Sequence, residues 1–445
     1  MPACALYSLP YVADPGTRFA AFAHESGAIL LDGGQPQAER ARFDLMSAWP
    51  QQLLKAEPHE AGLTFLTRLR RELANFGAAE CADWPFAGGL MGYCNYDFGR
   101  RLERIGEQAA CDIDMPDACF GLYDWAIMSD HQRQQSVLLI HPKAPAERRQ
   151  QVLAQLQKEP SHTAFKLLAP FAGQITREQY LAQIQRIQAY IQAGDCYQVN
   201  FAQRFSAPFS GSAWQAYQLL RAVCPTPFAG YAHFDSFQLL SLSPERFLRV
   251  SDGQVETRPI KGTRPRGANT TEDQAHARDL QSSLKDRAEN LMIVDLLRND
   301  LSRSCALGSV KVPELFTLES YPNVHHLVSA VTGTLAQPKN ALDLLAASFP
   351  GGSITGAPKI RAMQIIDELE PSRRSFYCGS LLYLDVNGRM DSSIAIRSLV
   401  AHQGQLYCWG GGGIVADSVP EAEYNESLTK IRVLLHTLEQ SLAQG

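Results

Sequence analysis

TREQYLAQIQRIQAYIQAG, residues 176–194, is followed at once by CYQVNFAQRF, residues 196–205, so a helical apolar period gives way to a strand period across one residue. In the first stretch Tyr180, Ile184, Ile187 and Ile191 fall on one face at steps of three and four. Thr176 and Gln179 have the spacing of a capping box, and Gly194 is placed to end the helix. In the second stretch Tyr197, Val199 and Phe201 alternate with Gln198, Asn200 and Ala202, the period of two that a strand requires. The helix therefore needs a sheet to pack on. LLSLSPERFLRV (239–250) and QVETRPIKGT (254–263) read as two further strands, joined at Ser251, Asp252 and Gly253 by a tight turn. Helices and strands come in runs rather than in strict alternation. That pattern favours a layered α+β fold over a parallel doubly wound sheet.

Toward the N-terminus, AILLDGG (28–34) and FAGGLMGYCNYDFG (86–99) read as strands with glycine-rich turns. APAERRQQVLAQLQKEPSHTAF (144–165) starts as a polar helix and ends in small and polar residues, the composition of a linker. The chain divides on this reading into an N-terminal region, 1–143, and a main domain, 174–440. With 445 residues it is long enough for two domains or one large two-lobed unit. Hydrophobic residues at 45% and charged residues at 20% describe a globular protein. A net charge of −5 argues against a nucleic-acid partner, which would leave a basic footprint. The ten cysteines show no C-x-x-C spacing and read as reduced thiols. MPACALYSLPYVADPG (1–16) has no basic segment followed by an apolar run, and no stretch has the length of a membrane span. A cytoplasmic protein without membrane attachment is the expectation.

Several stretches carry chemistry. PIKGT (259–263) places Lys261 among a stiff proline, an aliphatic residue, a glycine and a small hydroxyl, as either a surface lysine or a positioned amine able to act as a nucleophile. SLKDRAENLMIVDLLRNDLSR (283–303) is helical, with Asp286 and Glu289 three residues apart on one face. Near the C-terminus Ser418 and Glu421 have capping-box spacing around Pro420, and the helix they open carries Glu423, Glu426 and Lys430 at steps of three and four. Such pairs either solvate a helix face or, if the fold brings them together, make a hard oxygen site suited to Mg²⁺. FPGGSITGAPKIRAM (349–363) offers backbone N–H groups and a helix start to an anion, without the G-x-x-x-x-G-K-[ST] of a Walker loop. WGGGGIVADS (409–418) is either a plain turn with bulges or backbone open to close approach by a ligand. Arg397, in SSIAIRSLV (392–400), reads as lying on a buried strand, where a bare guanidinium needs an anion.

Taken in order, ETRPIKGT, RAENLMIVDLLRNDLSR, FPGGSITGAPKIRAM and GGGIVADSVPEAEYNES strongly resemble the chorismate-utilising enzymes, the family of anthranilate synthase large subunits, aminodeoxychorismate synthase component I, isochorismate synthases and salicylate synthases. FAGGLMGYCNYDFGRRLE (86–103) and YDWAIMSDHQR (123–133) look like the component I branch in particular. PIKGT points the same way, because anthranilate synthases resemble this stretch but carry alanine where Lys261 stands. The resemblance implies two large, mainly antiparallel sheets packed as a sandwich and surrounded by helices, with the N-terminal region contributing to both sheets.

It also implies a reaction, a transaminase-type amination of chorismate at ring carbon 4 that gives 4-amino-4-deoxychorismate on the way to 4-aminobenzoate and folate. Anthranilate synthase and isochorismate synthase chemistry are the neighbouring alternatives. In the implied site Glu289 and Glu426 bind Mg²⁺, supported by Asp286 and Glu423. Lys261 attacks carbon 2, and Glu245, in SLSPERF (241–247), protonates the leaving hydroxyl. Arg397, Tyr377 and the amides of Gly411, Gly412 and Gly413 hold the enolpyruvyl carboxylate, Lys430 adds charge, and His326 and Ser353 match substrate-site positions. No cysteine stands in the G-x-C-x-G context of a glutaminase, so a separate glutamine amidotransferase subunit is expected to supply ammonia. AHESGAILLDGG (23–34) lacks the L-L-E-S of feedback-sensitive anthranilate synthases, and tryptophan regulation is not implied.

Overall fold

The computed structural model describes residues 1–34, 42–160, 163–321 and 324–444. The helix expected after Thr176 runs Arg177–Gln192 with both hydrogen bonds of the capping box formed, and it buries Tyr180, Ile184 and Ile187. The following strand, Gln198–Ser210, is buried on both faces at its N-terminal end, including Gln198 and Asn200. Its alternation therefore does not mark a wet face. Tyr197, expected on the apolar side, precedes the strand and is 70% exposed.

Every ladder between the described strands is antiparallel. They assemble into a 13-stranded and a 10-stranded sheet. The N-terminal region enters both. Ala28–Asp32 pairs with Phe228–Phe234 in the larger sheet, and Gly89–Cys94 pairs with Ser380–Asp385 in the smaller. Tyr93 of the smaller sheet meets Phe234 and Phe237 of the larger, each at 5.7 Å between ring centroids, so the two sheets share an apolar core. A second core covers the other face of the larger sheet, where Trp214 packs edge-on against Phe19 and Tyr231. The expected linker holds a helix, Arg148–Leu156, whose Arg148 is paired with Asp124 at 2.9 Å and whose Val152 is fully buried. That segment is docked on the N-terminal region; residues 161 and 162 of it lie outside the described residues.

Two segments leave one sheet for the other. Phe237–Ser243 belongs to the larger sheet and Arg246–Ser251 to the smaller, so the stretch 239–250 is two strands broken at Pro244 and Glu245. Likewise Met390–Ser393 lies in the smaller sheet and Ser398–His402 in the larger. Arg397 is therefore not on a strand, as its sequence context suggested. It sits at this second crossing with φ of 52°, in the left-handed region that a side chain seldom adopts. The crossings are bound together, since Ile394 N–H donates to Glu245 O and Leu242 N–H donates to Arg397 O. The turn at Asp252 and Gly253 has both residues at positive φ, as a two-residue hairpin requires.

Candidate active site

The crossings place Glu245 at the seam between the sheets, 5% exposed, where the Ser353 hydroxyl donates to its Oε1 at 2.8 Å. Burial pushes the Glu245 carboxyl up to about 7, against the downward pull of the Ser353 hydroxyl and the Lys261 amine. Lys261 and Gly262 form an irregularity in the strand Ile260–Pro265, with register shifting between Ile260 and Thr263 and Gly262 at φ of 86°. The irregularity re-aims the lysine, whose Nζ donates to Ser353 O at 3.2 Å. The residue as a whole is half-buried, but its amine end is enclosed. Burial pulls the Lys261 pKa below the ordinary lysine value; Glu289 opposes this and the Lys430 cation adds to it. Ser353 thus holds both a carboxyl biased toward its protonated form and an amine biased toward its neutral form.

The two acidic pairs lie on the helices Leu284–Ser302 and Pro420–Glu439. Asp286 is tied to Arg264 at 3.1 Å. Glu423 is 4% exposed and receives the Ser418 hydroxyl at 2.7 Å. Ser418 therefore does not cap the helix as its spacing with Glu421 suggested: Val419 is the cap residue, ahead of Pro420, and makes no side-chain bond. Lys430 Nζ lies 2.8 Å from Glu426 Oε1 and donates to Gly411 O at 3.0 Å. The Lys430 cation holds the Glu426 carboxyl below its usual range, whereas burial raises that of Glu289. The helices meet through Lys285, whose ammonium is 3.9 Å from Glu289 and 3.6 Å from Glu423. Among the described residues no three His, Cys, Asp or Glu side chains are gathered closely enough to hold an ion by themselves.

WGGGG is neither a turn nor a loop but the interior of the strand Gln405–Ile414. Its glycines divide by what faces them. A Cβ at Gly410 or Gly411 would fall 2.3 or 2.5 Å from the backbone oxygens of Ser427 or Phe201, so those two are required by packing, whereas one at Gly413 would meet the Gln198 side-chain amide at 2.6 Å. A Cβ at Gly412 would instead meet Glu423 Oε2 and Lys430 Nζ at 3.5 Å and Glu426 Oε1 at 3.8 Å. Gly412 leaves a cradle in front of the acids.

Arg397 has no carboxylate partner among the described residues; it neighbours the Cys224 thiol and His326. Burial, and next the Arg397 cation, push His326 down to about 3, so this imidazole is neutral. Its Nδ1 is 2.8 Å from the Thr263 hydroxyl. Tyr377 is buried and lies parallel to Trp409, 4° between ring planes and 5.9 Å between centroids.

The loop bearing Ser353 is fixed from behind. Arg374, 1% exposed, donates to Glu370 Oε1 and Oε2 at 2.6 and 2.9 Å and to Ile354 O at 2.9 Å. Replacing Arg374 with methionine leaves the 5% exposed Glu370 carboxylate without its cation. The substitution is expected to cost about 3–5 kcal/mol in chemical denaturation.

Sequence reasoning placed the acids and Lys261 on their elements but missed Lys285 as the link between the two helices and Ser418 as the partner of Glu423. The first carried a readable signal, its i,i+4 spacing to Glu289. The second carried a misleading one.

The chorismate binding enzyme family matches residues 27–436. Aminodeoxychorismate synthase component 1 of Salmonella typhimurium is 46% identical over 446 residues, covering 97% of this chain and 98% of that protein. The protein of that name from Escherichia coli is also 46% identical, covering 95% of each chain. The crystal structure of anthranilate synthase component I from Streptococcus pneumoniae superposes with a TM-score of 0.78 at 31% identity over 89% of this chain and 92% of that one. The menaquinone-specific isochorismate synthase of Escherichia coli has a TM-score of 0.75 at 17% identity over 98% and 95%, a likeness of fold. With the fold, the paired acidic helices and a match over nearly its whole length, the chain belongs to the chorismate binding enzyme family.

Proposed function

We propose that this chain is an aminodeoxychorismate synthase component 1, which aminates chorismate at ring carbon 4. The observation that carries the reading is the enclosed Lys261 amine, held by Ser353 O beside the raised Glu245 carboxyl. The neutral amine attacks carbon 2, both double bonds of the ring diene shift by one position, and the bond from carbon 4 to oxygen breaks. Glu245 gives its proton to the departing hydroxyl, which leaves as water. Ammonia then attacks carbon 4, both double bonds shift back, and the bond from carbon 2 to Lys261 breaks and returns its electron pair to the amine. Two successive shifts bring the nitrogen to carbon 4, whereas direct attack by ammonia would end at carbon 2. A relative named anthranilate synthase component 1, from Thermus thermophilus, is 41% identical, and Lys261 in PIKGT is the residue that favours the 4-amino reading.

Arg397, free of any carboxylate among the described residues, suits one carboxylate of the substrate, a role we extend to Tyr377 and the amides of Gly411, Gly412 and Gly413. The Glu423 and Glu426 carboxylates at the cradle of Gly412, with Glu289 linked to Glu423 through Lys285, make an all-oxygen set that would hold Mg²⁺ completed by water and a substrate oxygen. Bound there, Mg²⁺ supplies Lewis acidity toward the ring carboxylate and so eases departure of the hydroxyl. Ammonia comes from a glutamine amidotransferase subunit, and a high concentration of free ammonia substitutes for it. Among the described residues no helix is long and apolar enough to cross a membrane, and we assign the protein to the cytoplasm.

Incubation with chorismate, Mg²⁺ and ammonia, followed by a 4-amino-4-deoxychorismate lyase, is expected to yield 4-aminobenzoate. Fluorescent anthranilate or isochorismate in its place refutes the reading. Glu426→Gln is expected to abolish activity at every Mg²⁺ concentration, and a variant that keeps its turnover removes Glu426 from the metal assignment.

A further inference from the structure

Two lysines stand at the acidic cluster, and they are held differently. Lys430 is hydrogen-bonded, 2.8 Å from Glu426 and 3.0 Å from Gly411 O. Lys285 makes no such bond. Its ammonium hovers 3.9 Å from Glu289 and 3.6 Å from Glu423, beyond hydrogen-bond reach of both, and its side chain is 52% exposed. It also stands in the first turn of its helix, where the positive end of the helix dipole disfavours a cation. Helix stability does not explain it. Its position between two carboxylates on two helices, one of them 4% exposed, does.

We propose that Lys285 is a displaceable counter-ion, which neutralises Glu289 and Glu423 in the metal-free protein and yields its place when a divalent cation binds between the two helices. The inference rests on the metal reading given above and adds to it a residue that works against metal affinity while protecting the empty site. Two carboxylates facing each other without a cation repel, and the ammonium offsets that repulsion until the stronger charge arrives. Its exposed stem lets it swing into solvent without disturbing the core. A site of this kind remains folded without metal and exchanges it readily.

The test uses Lys285→Met, which keeps the length of the stem and removes the charge, with Lys285→Arg as the charge-preserving control. Mn²⁺ titration by calorimetry reads affinity, and thermal unfolding without and with Mn²⁺ reads protection. Lys285→Met is expected to bind Mn²⁺ about tenfold more tightly than the unaltered protein, the order expected for removing one competing charge about 4 Å away. It is also expected to melt lower without metal and to gain more from Mn²⁺. Lys285→Arg stays near the unaltered protein. Unchanged or weaker Mn²⁺ binding by Lys285→Met, with binding intact in the unaltered protein, overturns the role of Lys285 and leaves the metal reading standing. Absence of Mn²⁺ binding in both overturns the metal reading and the inference with it.

Discussion

Lys261→Ala lowers 4-amination of chorismate by orders of magnitude and leaves carbon 2 as the position open to ammonia. The expectation follows from what alanine removes: the nucleophile that first occupies carbon 2 and thereby directs the second displacement to carbon 4. Neighbouring groups do not replace it, since Lys430 is committed to Glu426 and Gly411 O. Lys261→Arg is expected to fail as well, because a guanidinium stays protonated and is no nucleophile. Product analysis separates lost chemistry from a lost fold, and a folded variant with undiminished 4-amination removes covalent catalysis. The complementary measurement is the intact mass of the unaltered protein after chorismate is added without ammonia. A mass gain of one dehydrated chorismate, absent in Lys261→Ala, is the expected result.

The elements that bear this chemistry were legible one at a time, and their meeting was not. The helix after Thr176 was readable to its cap because a capping box and a 3.6 period are local. The acidic pairs were readable on their helices for the same reason. That Glu289 and Glu423 approach a common lysine is a product of the sheet order, which no spacing encodes. The strand 239–250 looked continuous because apolar residues flank Pro244 and Glu245 on both sides. Only the tertiary structure assigns its halves to different sheets, and that break puts Glu245 at the seam. Arg397 was misplaced on a strand by the same kind of continuity, and it is half-buried rather than buried. Ser418 had the residue type and spacing of a cap, but Pro420 follows Val419 as the first helical residue, and the hydroxyl was free to take Glu423 instead.

Glu245→Gln is expected to lower kcat about 100- to 10,000-fold, the usual contribution of a positioned general acid, and to change the shape of the pH profile. Glu245 acts in its protonated form, and its pKa raised to about 7 means that this form is lost as pH climbs through neutrality. Lys261 acts in its neutral form, and its lowered pKa means that this form is lost as pH falls. The kcat/KM of the unaltered enzyme is therefore bell-shaped, with an alkaline limb set by the carboxyl and an acid limb set by the amine, as macroscopic values of a coupled pair. Glutamine preserves the bond to the Ser353 hydroxyl but has no proton to lose. The alkaline limb should disappear while the acid limb remains, displaced to lower pH because the lost Glu245 carboxylate no longer raises the Lys261 pKa. Ser353→Ala offers an independent check, since the hydroxyl favours the ionised carboxylate: without it the Glu245 pKa rises further and the alkaline limb moves to higher pH. An alkaline limb that persists unchanged in Glu245→Gln would assign the proton to another group and take Glu245 out of the mechanism.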